Sequence, residues 1–188
     1  MQAALEPQLL ERNGVIAITS PAREDGRTST AALLAEGLCR AGRRVLLVDA
    51  DLRKPRVGEL VGTRPRPGPL SALSIDRLQS AVRPGWIDGL WVLPTAKDSR
   101  GAEALAIAFP NFVAALQGRV DVVIIDAAPM LGAKEAQAVI PGATGVLLVV
   151  PRTASQQDVG ETILAVESLG TPLLGVVANR FATSPMRA

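Results

Sequence analysis

Residues 15–55 read VIAITSPAREDGRTSTAALLAEGLCRAGRRVLLVDADLRKP. Two apolar runs, Val15–Ile18 and Val45–Val48, flank a polar loop and an Ala/Leu-rich segment whose apolar residues recur at helical spacing. Short continuous apolar runs are typical of strands that are buried on both faces, as in a parallel sheet. The stretch therefore predicts a strand, a loop, a helix and a second strand, an arrangement that presents a helix N-terminus to an anion.

The rest of the chain repeats this alternation. Helical segments separate further apolar runs at residues 90–93, 120–125, 146–150 and 173–178. The pattern predicts an α/β fold, with a doubly wound, mostly parallel sheet and helices on both faces. Pro110 lies inside one predicted helix, residues 102–116, and is expected to break or kink it.

The composition narrows the function classes. The chain has 188 residues, 48% hydrophobic and 20% charged, with no histidine and a single cysteine, which excludes Ser-His-Asp chemistry and the usual zinc sites. The net charge of +2 is too small to imply nucleic-acid binding. No apolar run approaches the roughly 20 residues of a membrane span, and no secretory signal is recognised. We expect a cytoplasmic protein without a span of its own.

The loop after the first strand resembles the phosphate-binding motif G-x-x-x-x-G-K-[ST]. Gly26 and Thr28 match the motif, whereas Arg27 stands at the lysine position and Pro21 at the first glycine. A dinucleotide-binding fold needs G-x-G-x-x-G here, and the loop has one glycine only. The loop therefore favours phosphate binding of the P-loop kind.

Polar residues follow three of the predicted strands, at the edge of the sheet where ligands bind in such folds. They are Asp49 with Asp51, Asp126, and Asn179 with Arg180. Carboxylates at this edge, together with the Thr28 hydroxyl, predict a magnesium ion held partly through waters. One strand-end aspartate alone is commonly a turn former or a helix cap. The combination of three with the loop indicates a binding site.

Three segments carry a resemblance to a known family. In order and spacing, VLLVDADLRKP (45–55), VDVVIIDAAP (120–129) and LLGVVANRF (173–181) resemble the bacterial tyrosine kinases (BY-kinases) of capsule and exopolysaccharide synthesis. These kinases are related to the partitioning and septum-site ATPases. The resemblance covers residues 14–181 and implies a P-loop NTPase fold that binds ATP or ADP with magnesium.

The resemblance also implies roles for individual residues. Asp49 and Asp51 match the second acidic motif, Asp126 matches the third, and Asn179 and Arg180 match the border of the adenine pocket. The expected catalytic residues are Arg27, Asp49, Asp51 and Asp126. The expected nucleotide contacts are Gly26, Arg27, Thr28, Ser29, Asn179 and Arg180, and the expected magnesium ligands are Thr28, Asp49 and Asp126.

The chain departs from the family pattern in three places. Its loop reads REDGRTS (23–29) where the family has sequences like PGEGKST, so that Glu24 and Asp25 bring two negative charges near the expected phosphates. Arginine does not replace a phosphate-binding lysine conservatively. The chain has no tyrosine to phosphorylate, and residues 1–13 lack the family's oligomer-contact helix.

We therefore expect a BY-kinase-like ATP-binding protein that acts in or regulates exopolysaccharide or capsule synthesis, with catalysis impaired by the altered loop. An inactive scaffold or co-polymerase partner is one alternative. A partitioning-type ATPase is another, disfavoured by the RKP continuation at 53–55.

The expected organisation is a lead at residues 1–13, a P-loop nucleotide-binding domain at 14–181 and a tail at 182–188. The resemblance implies a membrane-embedded polysaccharide co-polymerase or adaptor as partner, placement at the inner face of the membrane through it, and a homo-oligomer. No nucleic acid is expected to bind.

Overall fold

The computed structural model describes residues 14–62, 75–98, 101–116 and 118–180, and within them a single sheet is flanked by helices. The strands are β1 Gly14–Thr19, β2 Val45–Ala50, β3 Arg83–Pro84, β4 Leu90–Leu93, β5 Val122–Ala127, β6 Gly145–Pro151 and β7 Leu173–Asn179. The helices are α1 Arg27–Arg40, α2 Val57–Leu60, α3 Ile75–Ala81, α4 Gly101–Ala115, α5 Lys134–Val139, which continues into a 3₁₀ turn at Ile140–Gly142, and α6 Gln156–Ser168.

The sheet has the strand order β3-β4-β2-β5-β1-β6-β7. Every neighbouring pair is parallel except β3 with β4. All residues of β1, β2 and β5 are buried, which explains why these strands are continuous apolar runs in the sequence. The predicted α/β fold with a mostly parallel sheet is confirmed.

Each face of the sheet has its own hydrophobic core. On one face, Ile16 and Ile18 of β1 pack with Leu34 and Leu38 of α1. On the other face, the core of buried residues includes Phe109, Phe112, Ile125 and Val146. Because apolar side chains of the central strands alternate between these two cores, the sheet is covered on both sides, as a doubly wound fold requires.

Helix α4 is continuous through Pro110, so of the predicted break or kink there, the break is wrong. Phe109 and Phe112 lie on either side of the proline and are almost completely buried, whereas Pro110 itself is exposed. A proline inside a helix costs about 3 kcal/mol, mainly through one lost hydrogen bond. Burial of two phenylalanine side chains contributes a comparable amount or more, so packing holds the helix together.

The predicted lead at 1–13 and tail at 182–188 lie outside the described residues. In the ranges that are described, none of the helices has the length and apolar character needed to cross a bilayer.

Candidate functional site

The loop between β1 and α1 adopts a conformation that requires glycine at Gly26. Its φ of 97° lies in the left-handed region, and a Cβ built there would come within 2.1 Å of the Asn179 amide nitrogen. Glu24 also has a left-handed φ, 63°. The tight turn lets α1 begin at Arg27, and the first N–H groups of the helix face the loop.

Arg27 is buried and ties the loop together. Its Nη1 donates to the Ser20 hydroxyl at 2.5 Å and to the Ala22 carbonyl at 2.6 Å, and its Nη2 donates to Asp51 Oδ2 at 3.1 Å. The side chain is 8% exposed. The guanidinium is therefore engaged by the protein itself, with its charge next to the Asp51 carboxylate.

Asp49 and Asp126 are neighbours across the β2–β5 ladder, and both are buried. Asp126 Oδ2 accepts the Thr28 hydroxyl at 2.6 Å, and Asp49 Oδ2 accepts the Val57 N–H at 2.9 Å. The other carboxylate oxygen of each aspartate is buried with no hydrogen-bond partner among the described residues. Two buried carboxyl groups, each with one unsatisfied oxygen, therefore lie side by side, and that of Asp126 contacts Thr28.

Burial raises the pKa of Asp126 to about 6, against the opposing effect of the Thr28 hydrogen bond. Burial also raises the pKa of Asp49 well above its usual range, and the negative charge of Asp126 adds to this. A divalent cation near Thr28 would stabilise both ionised forms, so these side chains fit the predicted magnesium ion. In the part of the chain that the structure describes, no three or more His, Cys, Asp or Glu side chains form a metal-binding group. Magnesium usually keeps several waters when it binds to a protein, so water would complete its coordination here.

The two acids of the loop point in different directions. Asp25 is buried, and its carboxylate accepts the Ala22 N–H at 2.8 Å within the loop itself. Glu24 is exposed, and its carboxylate lies 3.0 Å from Lys54 Nζ and 3.7 Å from Arg56 Nη2. The hydrogen bond from Lys54 is the main cause of the lowered pKa of Glu24. Of the two loop acids, only Glu24 therefore has its carboxylate at the solvent side.

The end of β7 closes the loop from the side. Asn179 Nδ2 donates to the Asp25 carbonyl at 2.7 Å, so this side chain lies against the loop backbone. Arg180, with a left-handed φ of 59°, lines the adjacent cavity. The predicted place of both residues beside an adenine stays a prediction.

These groups surround a cavity of about 310 Å³, lined by five basic and two acidic residues among others. The lining residues are Arg23, Glu24, Gly26, Arg27, Thr28, Ser29, Asp51, Lys54, Arg56 and Arg180. Of the predicted site residues, the cavity brings together Gly26 through Ser29, Asp51 and Arg180, whereas Asp49, Asp126 and Asn179 lie outside the lining.

The sequence interpretation did not assign Arg23, Lys54 and Arg56 to the site. Lys54 and Arg56 belong to a basic, proline-rich segment that reads as a solvated connection. The signal that points to them is their position immediately after Asp51, because a chain leaving a strand end stays near the ligand edge of the sheet.

No family model matches the chain. It is 30% identical over 173 residues to the tyrosine-protein kinase ptk of Acinetobacter johnsonii, a match that covers 89% of this chain and 24% of the relative. It is 31% identical over 173 residues to the succinoglycan biosynthesis transport protein ExoP of Rhizobium meliloti, covering 88% of this chain and 22% of the relative. The chain thus spans about a quarter of the length of these curated relatives.

Solved structures show the same fold. The chimerical protein CapA2B2 is 30% identical with a TM-score of 0.82, over 90% of this chain and 77% of that chain. The BceF tyrosine kinase domain is 28% identical with a TM-score of 0.77, over 94% and 72%. The cobyrinic acid a,c-diamide synthase of Mycobacterium smegmatis, solved with bound ADP and magnesium, is 26% identical with a TM-score of 0.74, over 88% and 74%.

Proposed function

Because the chain belongs to the bacterial tyrosine kinase family of P-loop ATPases, we propose that its cavity binds the phosphates of ATP or ADP with magnesium. The observation that carries the proposal is the cluster of five basic side chains at the N-terminus of α1. Phosphate groups bind both to basic side chains and to the free N–H groups at a helix N-terminus. The related synthase with bound ADP and magnesium supports the choice of ligand.

The proposed roles follow from position. Backbone N–H groups at the start of α1, from Arg27 to Ser29, would bind phosphate oxygens. The Thr28 hydroxyl, with Asp126 and Asp49 behind it, would hold the magnesium ion, whose charge would offset that of the phosphates. Asn179 would keep the loop in place through its bond to the Asp25 carbonyl.

Phosphoryl transfer by this site is proposed to be weak. Asp51, which the family resemblance assigns to catalysis, accepts Arg27 with one carboxylate oxygen and the Lys54 N–H with the other. A side chain that orients an attacking group has to reach that group directly or through one water, whereas both carboxylate oxygens of Asp51 already accept hydrogen bonds from the protein. Asp51 is used instead as a structural acceptor, and the chain has no tyrosine as an internal phosphoryl acceptor.

At the level of the cell, we propose a role in exopolysaccharide or capsule synthesis, supported by the similarity to the succinoglycan biosynthesis transport protein ExoP. Residues 14–181 would act as the nucleotide-binding domain. The proposed partner is a membrane-embedded polysaccharide co-polymerase or adaptor, which would place the domain at the inner face of the membrane.

A second candidate function is a nucleotide-dependent or nucleotide-free scaffold without turnover. It is favoured by one observation, the ion pair between Arg27 and Asp51, which engages the two residues most needed for chemistry with each other. The two candidate functions differ in whether ATP is hydrolysed, and both are compatible with the same fold.

Calorimetric titration with Mg-ADP and Mg-ATP tests the proposed binding. We expect saturable binding that weakens when EDTA removes magnesium and when Thr28→Ala deletes the hydroxyl beside Asp126. Ser168→Ala, which removes an exposed hydroxyl at the far end of α6, is the matched control and should bind like the native chain. Absence of binding at millimolar nucleotide in the folded native chain would refute the proposal.

A further inference from the structure

Two basic side chains of the cavity are held by an acid of the loop. Glu24 places its carboxylate 3.0 Å from Lys54 Nζ and 3.7 Å from Arg56 Nη2, and all three side chains line the cavity. The distance to Lys54 is that of a charge-assisted hydrogen bond, the same contact that a phosphate oxygen makes with an ammonium group.

The conformation of Glu24 brings its side chain into this position. Its φ of 63° is uncommon for a residue with a Cβ, and family loops of the PGEGKST kind often have glycine at such a point. The neighbouring acid, Asp25, is turned inward to the Ala22 N–H and makes no contact with these cations. Of the two loop acids, only Glu24 therefore places its carboxylate in the cavity lining.

Arg27 has little left to offer a phosphate. Both of its terminal nitrogens donate to loop atoms or to Asp51, and the side chain is buried. The Lys54 and Arg56 side chains are half exposed, with relative exposures of 50% and 45%. Both belong to the segment that follows Asp51, and both line the cavity.

We propose that Lys54 and Arg56 are phosphate-contacting residues of this site and that the Glu24 carboxylate occupies the phosphate position until a nucleotide displaces it. The inference rests on the proposed function and adds the residues that set affinity. An exposed ion pair is weak, whereas a di- or triphosphate carries several negative charges. The phosphates of the nucleotide therefore replace Glu24 as the partner of both cations. The affinity for the nucleotide is reduced, because the contacts of Glu24 with these cations must first be broken.

The test is calorimetric titration of Mg-ADP, and separately of inorganic pyrophosphate with magnesium, into the native chain and three variants at one low salt concentration. Glu24→Gln keeps the side-chain length and removes the competing charge. Lys54→Gln removes the cation. Glu167→Gln removes one negative charge from the exposed last turn of α6, at the opposite end of that helix from the ligand edge, and is the matched control.

We expect Glu24→Gln to tighten both ligands about fivefold, and Lys54→Gln to weaken both by a similar factor, as one unit charge at about 4 Å in water implies. Glu167→Gln should bind like the native chain. Pyrophosphate should respond as strongly as Mg-ADP, because the displaced contact involves phosphate and not the base. Thermal melting confirms that each variant is folded, and all three positions are at the surface.

The outcomes separate the two proposals. If no variant binds either ligand, the proposed function fails and this inference fails with it. If the native chain binds and Glu24→Gln binds with the same affinity, the inference alone is overturned. If Glu24→Gln tightens binding but Lys54→Gln changes nothing, Glu24 acts by repulsion and the displacement from Lys54 is wrong.

Discussion

Arg27 stands at the lysine position of the P-loop motif, and this single difference changes which groups the loop can bind. A planar guanidinium can satisfy several acceptors at once, and here it joins Ser20, Ala22 and Asp51. An ammonium group is compact and cannot bridge acceptors that are spread along a fork. Arginine at this position therefore favours a rigid loop, whereas lysine would leave a cation that is free to bind a ligand.

Arg27→Lys is expected to release Asp51 and to raise ATP hydrolysis above the native rate by about tenfold or more. It should also lower the free energy of unfolding by about 1–3 kcal/mol, because buried acceptors lose their donor. Phosphate release and thermal melting measure the two effects, with the exposed Arg152→Lys as control. An unchanged hydrolysis rate in a variant that still binds Mg-ATP would show that Arg27 is not the cause of the proposed weak catalysis.

The buried acid Asp126 should make stability depend on pH in the absence of magnesium. Its folded-state pKa of about 6 lies above the ordinary value, so its protonated form stabilises the fold below about pH 4, and this contribution is lost as the pH rises through 6. In EDTA at pH 8, Asp126→Asn should therefore unfold at higher temperature than the native chain, by about 1–3 kcal/mol in stability. At pH 4 the difference should shrink.

Added magnesium and ADP should reverse this order, so that the native chain unfolds at a higher temperature than Asp126→Asn. Only the native chain keeps the carboxylate behind Thr28. Asp88→Asn, in the exposed turn before β4, serves as control and should follow the native curve at every pH. A native chain that melts at the same temperature as Asp126→Asn at pH 8 would contradict the cost assigned to this buried charge.

At the scale of elements, the turn into α1 and the end of β7 depend on each other. Gly26→Ala should destabilise the chain by about 1–3 kcal/mol, since φ is left-handed and the new Cβ displaces the Asn179 amide from the Asp25 carbonyl. The matched control is Gly37→Ala within α1, where a Cβ meets nothing within 4 Å. That change should stabilise the helix by about 0.5–1 kcal/mol. Urea unfolding compares the two, and equal effects would contradict the role of Gly26.

The elements themselves are largely predictable from sequence, because burial on both faces leaves a direct trace in apolar runs. β4 is found at its predicted bounds, 90–93, and β1, β2 and β5 lie within two residues of theirs. At Pro110 local propensity indicated a break or a kink, and the break is wrong because packing of the flanking phenylalanines outweighed it. Tertiary contacts of this kind leave no recognisable pattern in a short stretch of the amino-acid sequence.

The site was predictable in its acids and less so in its cations. Asp49 and Asp126 stand at strand ends, where topology alone brings them together. The contacts of Glu24 with Lys54 and Arg56 join positions about 30 residues apart through loop conformation, which no sequence period encodes. For the same reason the inward turn of Asp25 is visible only in the structure.

At the scale of the whole molecule, stability should be unevenly distributed across the sheet. β1, β2 and β5 are buried throughout, whereas β7 is only partly buried and α6 buries Thr162 and Val166 alone among its described side chains. We expect amide hydrogen exchange in β1 and β5 only through global unfolding, and exchange in β7 and α6 at lower free energy. Equal protection of β7 and β1 in mass spectrometric exchange would contradict this distribution.

The position of β1 at the centre of the sheet has a consequence for how the chain reaches its native state. Gly14 pairs with Val122, and Ile16 with Gly145, so both strands next to β1 come much later in the sequence. During synthesis the apolar residues of β1 stay unpaired until β5 and β6 have been made. Closing such long loops slows folding and exposes hydrophobic surface in the interval. The chain is therefore expected to refold slowly after dilution from denaturant, with yields that fall as its concentration rises.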